Sequence, residues 1–263
     1  MNTSLTDIFP AAYRIYFKTA EGRARQVSEI RLRTSRPAIL MEGSREVFLR
    51  EDGAYTEHMD QAWRPDRQAL SEIVSHLCQY SLYAYEDELR QGYITIEGGH
   101  RVGIVGQAVQ ESPGSIRTIK HISAINIRIA HQILGADTPV LPYIYRRGSM
   151  RNTLIVSPPG CGKTTMLRDL GRQISGGSAY GPARTVGVVD ERSEIAGCYM
   201  GQPQNDLGPR SDVLDACPKA LGMMMLLRSM SPAVLAVDEL GSGEEIRAVR
   251  MAASCGVSLV ATI

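Results

Sequence analysis

The chain lacks the cysteine pattern of a stapled or zinc-bound protein. Its five cysteines, Cys78, Cys161, Cys198, Cys217 and Cys255, are scattered, odd in number and never spaced as CxxC. That argues against a disulfide framework and a zinc site, and it is the usage expected in a reducing compartment. Excess charge of one sign is missing as well. Lys and Arg number 29 against 28 Asp and Glu, a formal net charge of +1, so no global field draws the protein onto nucleic acid or acidic lipid. No apolar run approaches the roughly 20 residues that cross a bilayer. The opening stretch MNTSLTDIFPAAYRIYFKTAEGRAR has no signal-peptide core, so any membrane contact is expected to be peripheral.

What is present divides the 263 residues into two styles. In the first, SEIRLRTSRPAILM alternates like a strand, with Pro37 confining it to an edge or an end. From Asp66 to Gly92 the spacing of Leu70, Ile73, Val74 and Leu77 predicts helix, stopped by Gly92. YITIEGGHRVGIVGQAV reads as a hairpin around Gly98-Gly99. ISAINIRIA adds a strand with Ile125, Ile127 and Ile129 on one face. This is a small α+β domain, residues 1–132, followed by a Pro- and Gly-punctuated junction with room for one short helix.

The second style, residues 133–263, alternates strands with helices. TLIV, TVGVV, AVLAVD and VSLVATI are continuously apolar, as strands of a parallel sheet covered on both faces are. Helices are expected from Lys163, over about Asp212 to Arg228, and over about Glu244 to Cys255. The last strand runs to the final residue without a turn or cap, which predicts a natural chain that continues beyond Ile263.

SPPGCGKTT, Ser157 to Thr165, follows the strand TLIV. A strand-to-helix turn of this kind presents backbone amides as a nest and adds the partial positive charge of a helix N-terminus. Gly160 and Gly162 permit close approach of a phosphate, Lys163 reaches the β- and γ-phosphates, and Thr164 is placed to ligate Mg²⁺. Pro158, Pro159, Cys161 and Thr165 complete the loop. Ser157 stands where the usual pattern has Gly, which is tolerable if its φ is negative. Cys161 puts a thiol inside the loop beside a helix N-terminus, an environment that lowers thiol pKa; either its oxidation or alkylation blocks nucleotide binding, or it is an inert small residue.

AVLAVDEL ends a strand in Asp238 and Glu239. Asp238 suits a water-mediated Mg²⁺ contact, and Glu239 suits orientation and deprotonation of an attacking water. VGVVDERSEIAG places Asp190, Glu191, Arg192 and Glu194 at the carboxyl edge of the sheet, where open α/β folds bind ligands. Glu191 and Glu194 are therefore further catalytic candidates. Arg210, expected just before a helix, is either a surface charge or a phosphate contact across a subunit boundary. His100 is expected at a hairpin tip, Met223–Met225 as core filler, and Arg23, Arg25, Arg31, Arg33 and Arg36 as a solvated basic face.

The ordered series EIRLR…RPAIL, GYITIEGGHRVGIVGQAV, HISAINIRIA, SPPGCGKTTMLRDLGR, VVDERSEIAG, DVLDACPKALGMMMLLRSMSP and AVDELG resembles the stage III sporulation protein AA family. That family is similar to ATPases of type II and type IV secretion and pilus systems. The resemblance implies a RecA-like P-loop ATPase domain behind the N-terminal domain, using ATP and Mg²⁺ and working as a ring, a hexamer. It also implies work in endospore formation, on the cytoplasmic mother-cell face of a channel to the forespore, docked on membrane channel proteins. By position, Ser157 to Thr165 becomes the Walker A loop, Asp238-Glu239 the Walker B pair, and Asp190 to Glu194 the acidic box. A His-containing box lies beyond residue 263 in the secretion ATPases. Two other classes compete: a RecA-like nucleic-acid translocase, weakened by near-neutral charge and the single Trp63, and a non-hydrolysing scaffold that uses nucleotide to assemble.

Overall fold

The structure, a computed structural model, describes residues 4–81, 85–90, 92–112 and 115–263. It forms two compact units, Met1–His131 and Gln132–Ile263.

The first unit is built on an antiparallel seven-stranded sheet. In chain order its strands are β1 (Val27–Arg33), β2 (Ile39–Glu42), β3 (Arg45–Leu49), β4 (Tyr55–Thr56), β5 (Tyr93–Ile96), β6 (His100–Ser112) and β7 (Ser115–Arg128). Across the sheet they run β4-β3-β2-β1-β7-β6-β5. The stretch that reads as one strand is thus two, β1 and β2, folded back at Ser35, whose φ is 57°. Pro37 lies between them, because its missing N–H cannot serve an interior ladder. Gly98 and Gly99 both have positive φ and join β5 to β6, as a tight hairpin requires.

Among the described residues, α1 (Lys18–Glu21), α2 (Arg67–Leu77) and α3 (Glu86–Arg90) accompany this sheet. Asp66 caps α2 by accepting the Ala69 N–H at 2.7 Å, and Leu70, Ile73, Val74 and Leu77 are buried. The single helix expected from Asp66 to Gly92 is therefore interrupted. Its first part ends at Leu77, and Gln79 and Tyr80 turn left-handed; residues 82–84 lie outside the described residues. His100 is no exposed tip: it is buried at the start of β6, and its Nδ1 accepts the Ala130 N–H at 2.9 Å.

The second unit begins with α4 (Leu141–Ile144) and a two-strand hairpin, β8 (Tyr145–Arg146) with β9 (Ser149–Met150). Its main sheet contains β10 (Thr153–Ile155), β11 (Val186–Asp190), β12 (Ser211–Asp215), β13 (Val234–Val237) and β14 (Ser258–Thr262) in the order β10-β14-β13-β11-β12. Every pairing is parallel. Helices α5 (Lys163–Gly176), α6 (Lys219–Ser229) and α7 (Gly243–Ser254) complete it.

Both faces of this sheet are covered, which is why its strands read as unbroken apolar runs. Val186, Val188, Val234 and Ala236 pack with Leu167, Leu170 and Ile174 of α5. Val189, Leu235 and Val237 pack instead with Met223 and Leu226 of α6 and with Ala248 and Ala252 of α7. Met225 is exposed, so the methionine run is core filler only in part. The helix expected over Asp212 to Arg228 is a strand followed by a shorter helix. Ala216 has a φ of 50°, and Pro218, which lacks the N–H that a helix interior needs, sits at the N-cap of α6. Among the described residues no helix is long and apolar enough to cross a membrane.

Candidate active site

The loop after β10 reaches α5 through two left-handed glycines, Gly160 at φ 76° and Gly162 at φ 84°, a conformation that glycine adopts without a Cβ penalty. A Cβ built at either would meet nothing within 4 Å, so the loop faces open space. Ser157 is not among the residues with positive φ, and the position needs no glycine. The first amides of α5 have no intrahelical acceptor. Lys163 is folded back over the loop, its Nζ donating to the carbonyls of Ser157 at 2.7 Å and Pro158 at 3.3 Å. Pro158, Pro159 and Cys161 are exposed, and Thr165 is half-buried in the first turn of α5.

Strand β13 delivers Asp238 directly to this loop. The Thr164 hydroxyl donates to Asp238 Oδ2 at 2.6 Å, and the hydroxyl of buried Thr262, at the end of β14, donates to Oδ1. Glu239 follows in a left-handed conformation, φ 47°. Its N–H donates to Thr262 Oγ1 at 2.7 Å and to Asp238 Oδ1 at 3.0 Å. Its carboxylate accepts from Arg192 at 3.0 Å, with side chains 49% and 62% exposed respectively. An ion pair that wet is worth little and rearranges easily.

The acidic loop after β11 is organised from beneath. Asp190 is buried and accepts the backbone N–H groups of Glu194, Ile195 and Ala196 at 2.8–2.9 Å. Burial pushes its carboxyl up to about 6, against the pull of those amides. Arg168 of α5 donates to the carbonyls of Glu194 and Ile195, both at 2.6 Å, and burial lowers its pKa. Ser193 donates to Asp215 at 2.6 Å. Asp190 thus shapes the loop, while Glu191 and Glu194 line an open cleft together with Arg192, Lys219, Asp238 and Glu239.

Three of these residues escaped the sequence reading. Lys219 was hidden inside the expected helix from Asp212; placing the helix start after Pro218 brings it to the cleft. Thr262 is the polar residue closing an apolar strand, and Arg168 lies on α5 facing the acidic loop. Only register and helix phase bring them to the site. Arg210 precedes a strand rather than a helix, and its carbonyl accepts the Val186 N–H at the start of β11. That is the sheet edge opposite the loop. Its guanidinium donates to the Ser175 carbonyl near the end of α5 at 3.1 Å.

The residues present fit a magnesium nucleotide. The glycine turn leaves room for a polyphosphate, and Thr164 with Asp238 offers hard oxygen donors of the kind magnesium selects, a cation that keeps several waters and needs few protein ligands. Among the described residues no group of three His, Cys, Asp or Glu side chains forms a protein-only metal cage.

Comparison with known proteins gives the family and the fold. The family described as "Sporulation stage III, protein AA" matches residues 2–263. Stage III sporulation protein AA of Bacillus subtilis (strain 168) is 46% identical over 236 residues, covering 89% of this chain and 72% of that protein. Among solved structures, the Legionella pneumophila ATPase DotB aligns with a TM-score of 0.58 at 17% identity, over 95% of this chain and 64% of its own. The pilus retraction motor PilT, solved with bound ADP, aligns with the same score and identity over 95% of this chain and 66% of its own. At such identity these two establish the fold, a RecA-like secretion ATPase fold, and this chain spans about two thirds of their length. The chain belongs to the sporulation stage III protein AA family.

Proposed function

We propose that the chain binds Mg²⁺-ATP at Ser157 to Thr165 and hydrolyses it, as a motor subunit of a secretion-like complex in endospore formation. The observation that carries this reading is the contact between Thr164 and Asp238, which joins the phosphate loop to the strand that presents Glu239. Lys163 would exchange its two carbonyl partners for the β- and γ-phosphates. Thr164 and Asp238 would hold Mg²⁺, the latter through water; when bound, the ion neutralises charge on the phosphates. Glu239 would orient the attacking water and take its proton, with Glu191 and Glu194 supporting from the same cleft. ADP bound to PilT supports a nucleotide ligand here. Residues 1–132 would serve assembly and docking, residues 133–263 the chemistry, in a hexameric ring held peripherally against channel proteins on the mother-cell side.

Mg²⁺-dependent ATP turnover tests the reading. Lys163→Ala is expected to abolish nucleotide binding. Glu239→Gln is expected to retain binding and lower turnover by about 10²–10⁴-fold, the typical contribution of a positioned base. Retained turnover in Glu239→Gln would remove its catalytic role. Tight binding with no turnover in any form, wild type included, would favour the scaffold.

A further inference from the structure

Lys219, in the first turn of α6, has a side chain only 13% exposed. Its Nζ donates to the main-chain carbonyl of Glu239 at 2.8 Å and lies 3.2 Å from a Glu191 carboxylate oxygen and 3.8 Å from one of Glu245. One ammonium group therefore ties together the acidic loop, the start of α7 and the residue after Asp238.

The backbone at Glu239 needs such a tie. A non-glycine residue in the left-handed region is strained and persists where its surroundings over-determine it. The Glu239 N–H is held by Thr262 and Asp238, and its carbonyl by Lys219. The side-chain direction follows from that clamped backbone, since the exposed Arg192 contact is too weak to set it alone. Glu245 in turn accepts the N–H groups of Gly241 and Ser242 at 2.7 and 3.0 Å, which fixes the far end of the Glu239 loop against the same ammonium.

We propose that Lys219 is a positioning residue for hydrolysis: by holding the Glu239 carbonyl it keeps that backbone left-handed and aims the Glu239 carboxylate into the cleft. The proposal rests on Glu239 being the base. It predicts that Lys219 acts on turnover through Glu239 and leaves nucleotide binding to Lys163 and Thr164.

The test measures kcat, KM and ATP affinity of the full chain with Lys219→Met and Lys219→Arg, each in the wild-type and Glu239→Gln backgrounds. Lys219→Met is expected to lower kcat by at least about tenfold, with KM and affinity within about twofold, the signature of an interaction used in the transition state. Lys219→Arg, which keeps a cationic donor, should recover part of the loss, and Lys219→Met should cost nothing further in Glu239→Gln. A loss that multiplies in both backgrounds, or a rise in KM at unchanged kcat, overturns the proposal. Melting temperatures keep the clamp testable even if no form turns over, the result that would sink the hydrolytic reading instead. Glu239→Gly is expected to raise the melting temperature of the wild type, where the left-handed backbone is enforced, and not that of Lys219→Met. Equal shifts in both overturn the clamp.

Discussion

The two units use opposite devices to bury their apolar side chains. The first pairs antiparallel strands whose inward residues, such as Ile30, Leu32, Val102, Ile125 and Ile127, are buried while Arg31, Arg33, Asn126 and Arg128 on the alternate positions keep contact with solvent. The second stacks parallel strands whose two faces are both covered, with charge confined to strand ends. One-sided burial leaves polar residues spread along the sheet; two-sided burial drives them to its carboxyl edge, where Asp190, Asp215, Asp238 and Glu239 gather. The chemistry-bearing residues concentrate in the second unit for that reason.

Four changes would break or sharpen the contrast. Ile127→Ala removes a fully buried side chain from the first unit and is expected to cost about 2–5 kcal/mol in denaturant unfolding. Nucleotide affinity below the lowered melting point should be unchanged, because the proposed ligands all lie in the second unit; a matching fall in affinity would couple the two.

Acid should act next most strongly, and in opposite directions. Burial depresses the His100 pKa from 6.5 to about 4, so its contribution is complete above pH 6.5 and is lost as pH falls through about 4. The difference corresponds to roughly 3 kcal/mol. Asp190 behaves inversely: with its carboxyl raised to about 6, its contribution is complete below pH 3.8 and is lost as pH rises through about 6. Denaturant midpoints of His100→Gln and Asp190→Asn between pH 4 and 7 should each flatten one slope. Unaltered slopes would show that other groups govern acid stability.

Gly222→Ala is the smallest change in atoms. The added Cβ would stand 2.5 Å from Val189 Cγ1, forcing α6 away from β11 at about 1–3 kcal/mol. The effect belongs to the second unit and should be accompanied by weaker turnover, since α6 carries Lys219. A stable, fully active Gly222→Ala protein would mean that α6 repacks freely and does not set the cleft.

Much of this was legible in residue order. Continuous apolar strands announced the parallel sheet, the glycines and Lys163 announced the turn that leads β10 into α5, and Asp238-Glu239 stood at the end of the expected strand. The misreadings have physical causes. SDVLD is short, with acids flanking two apolar residues, and became a strand because β11 offers it a parallel ladder from Val186 to Asp190. Arg210 resembled a free cation, yet its donors serve the end of α5. Asp190 belonged to an acidic run, and only its burial separates it from Glu191 and Glu194 as a framework residue.

The sequence by itself determined the two styles of sheet, the glycine turn into α5 and the acids next to it, because periodicity and turn chemistry are local. Tertiary structure alone decided that Thr164 meets Asp238, that Thr262 and Lys219 hold the two ends of the Glu239 peptide, and that Arg168 braces the acidic loop. Those contacts join residues that lie 20 to 74 positions apart. Their geometry comes from strand register and helix packing, which no short stretch of chain encodes.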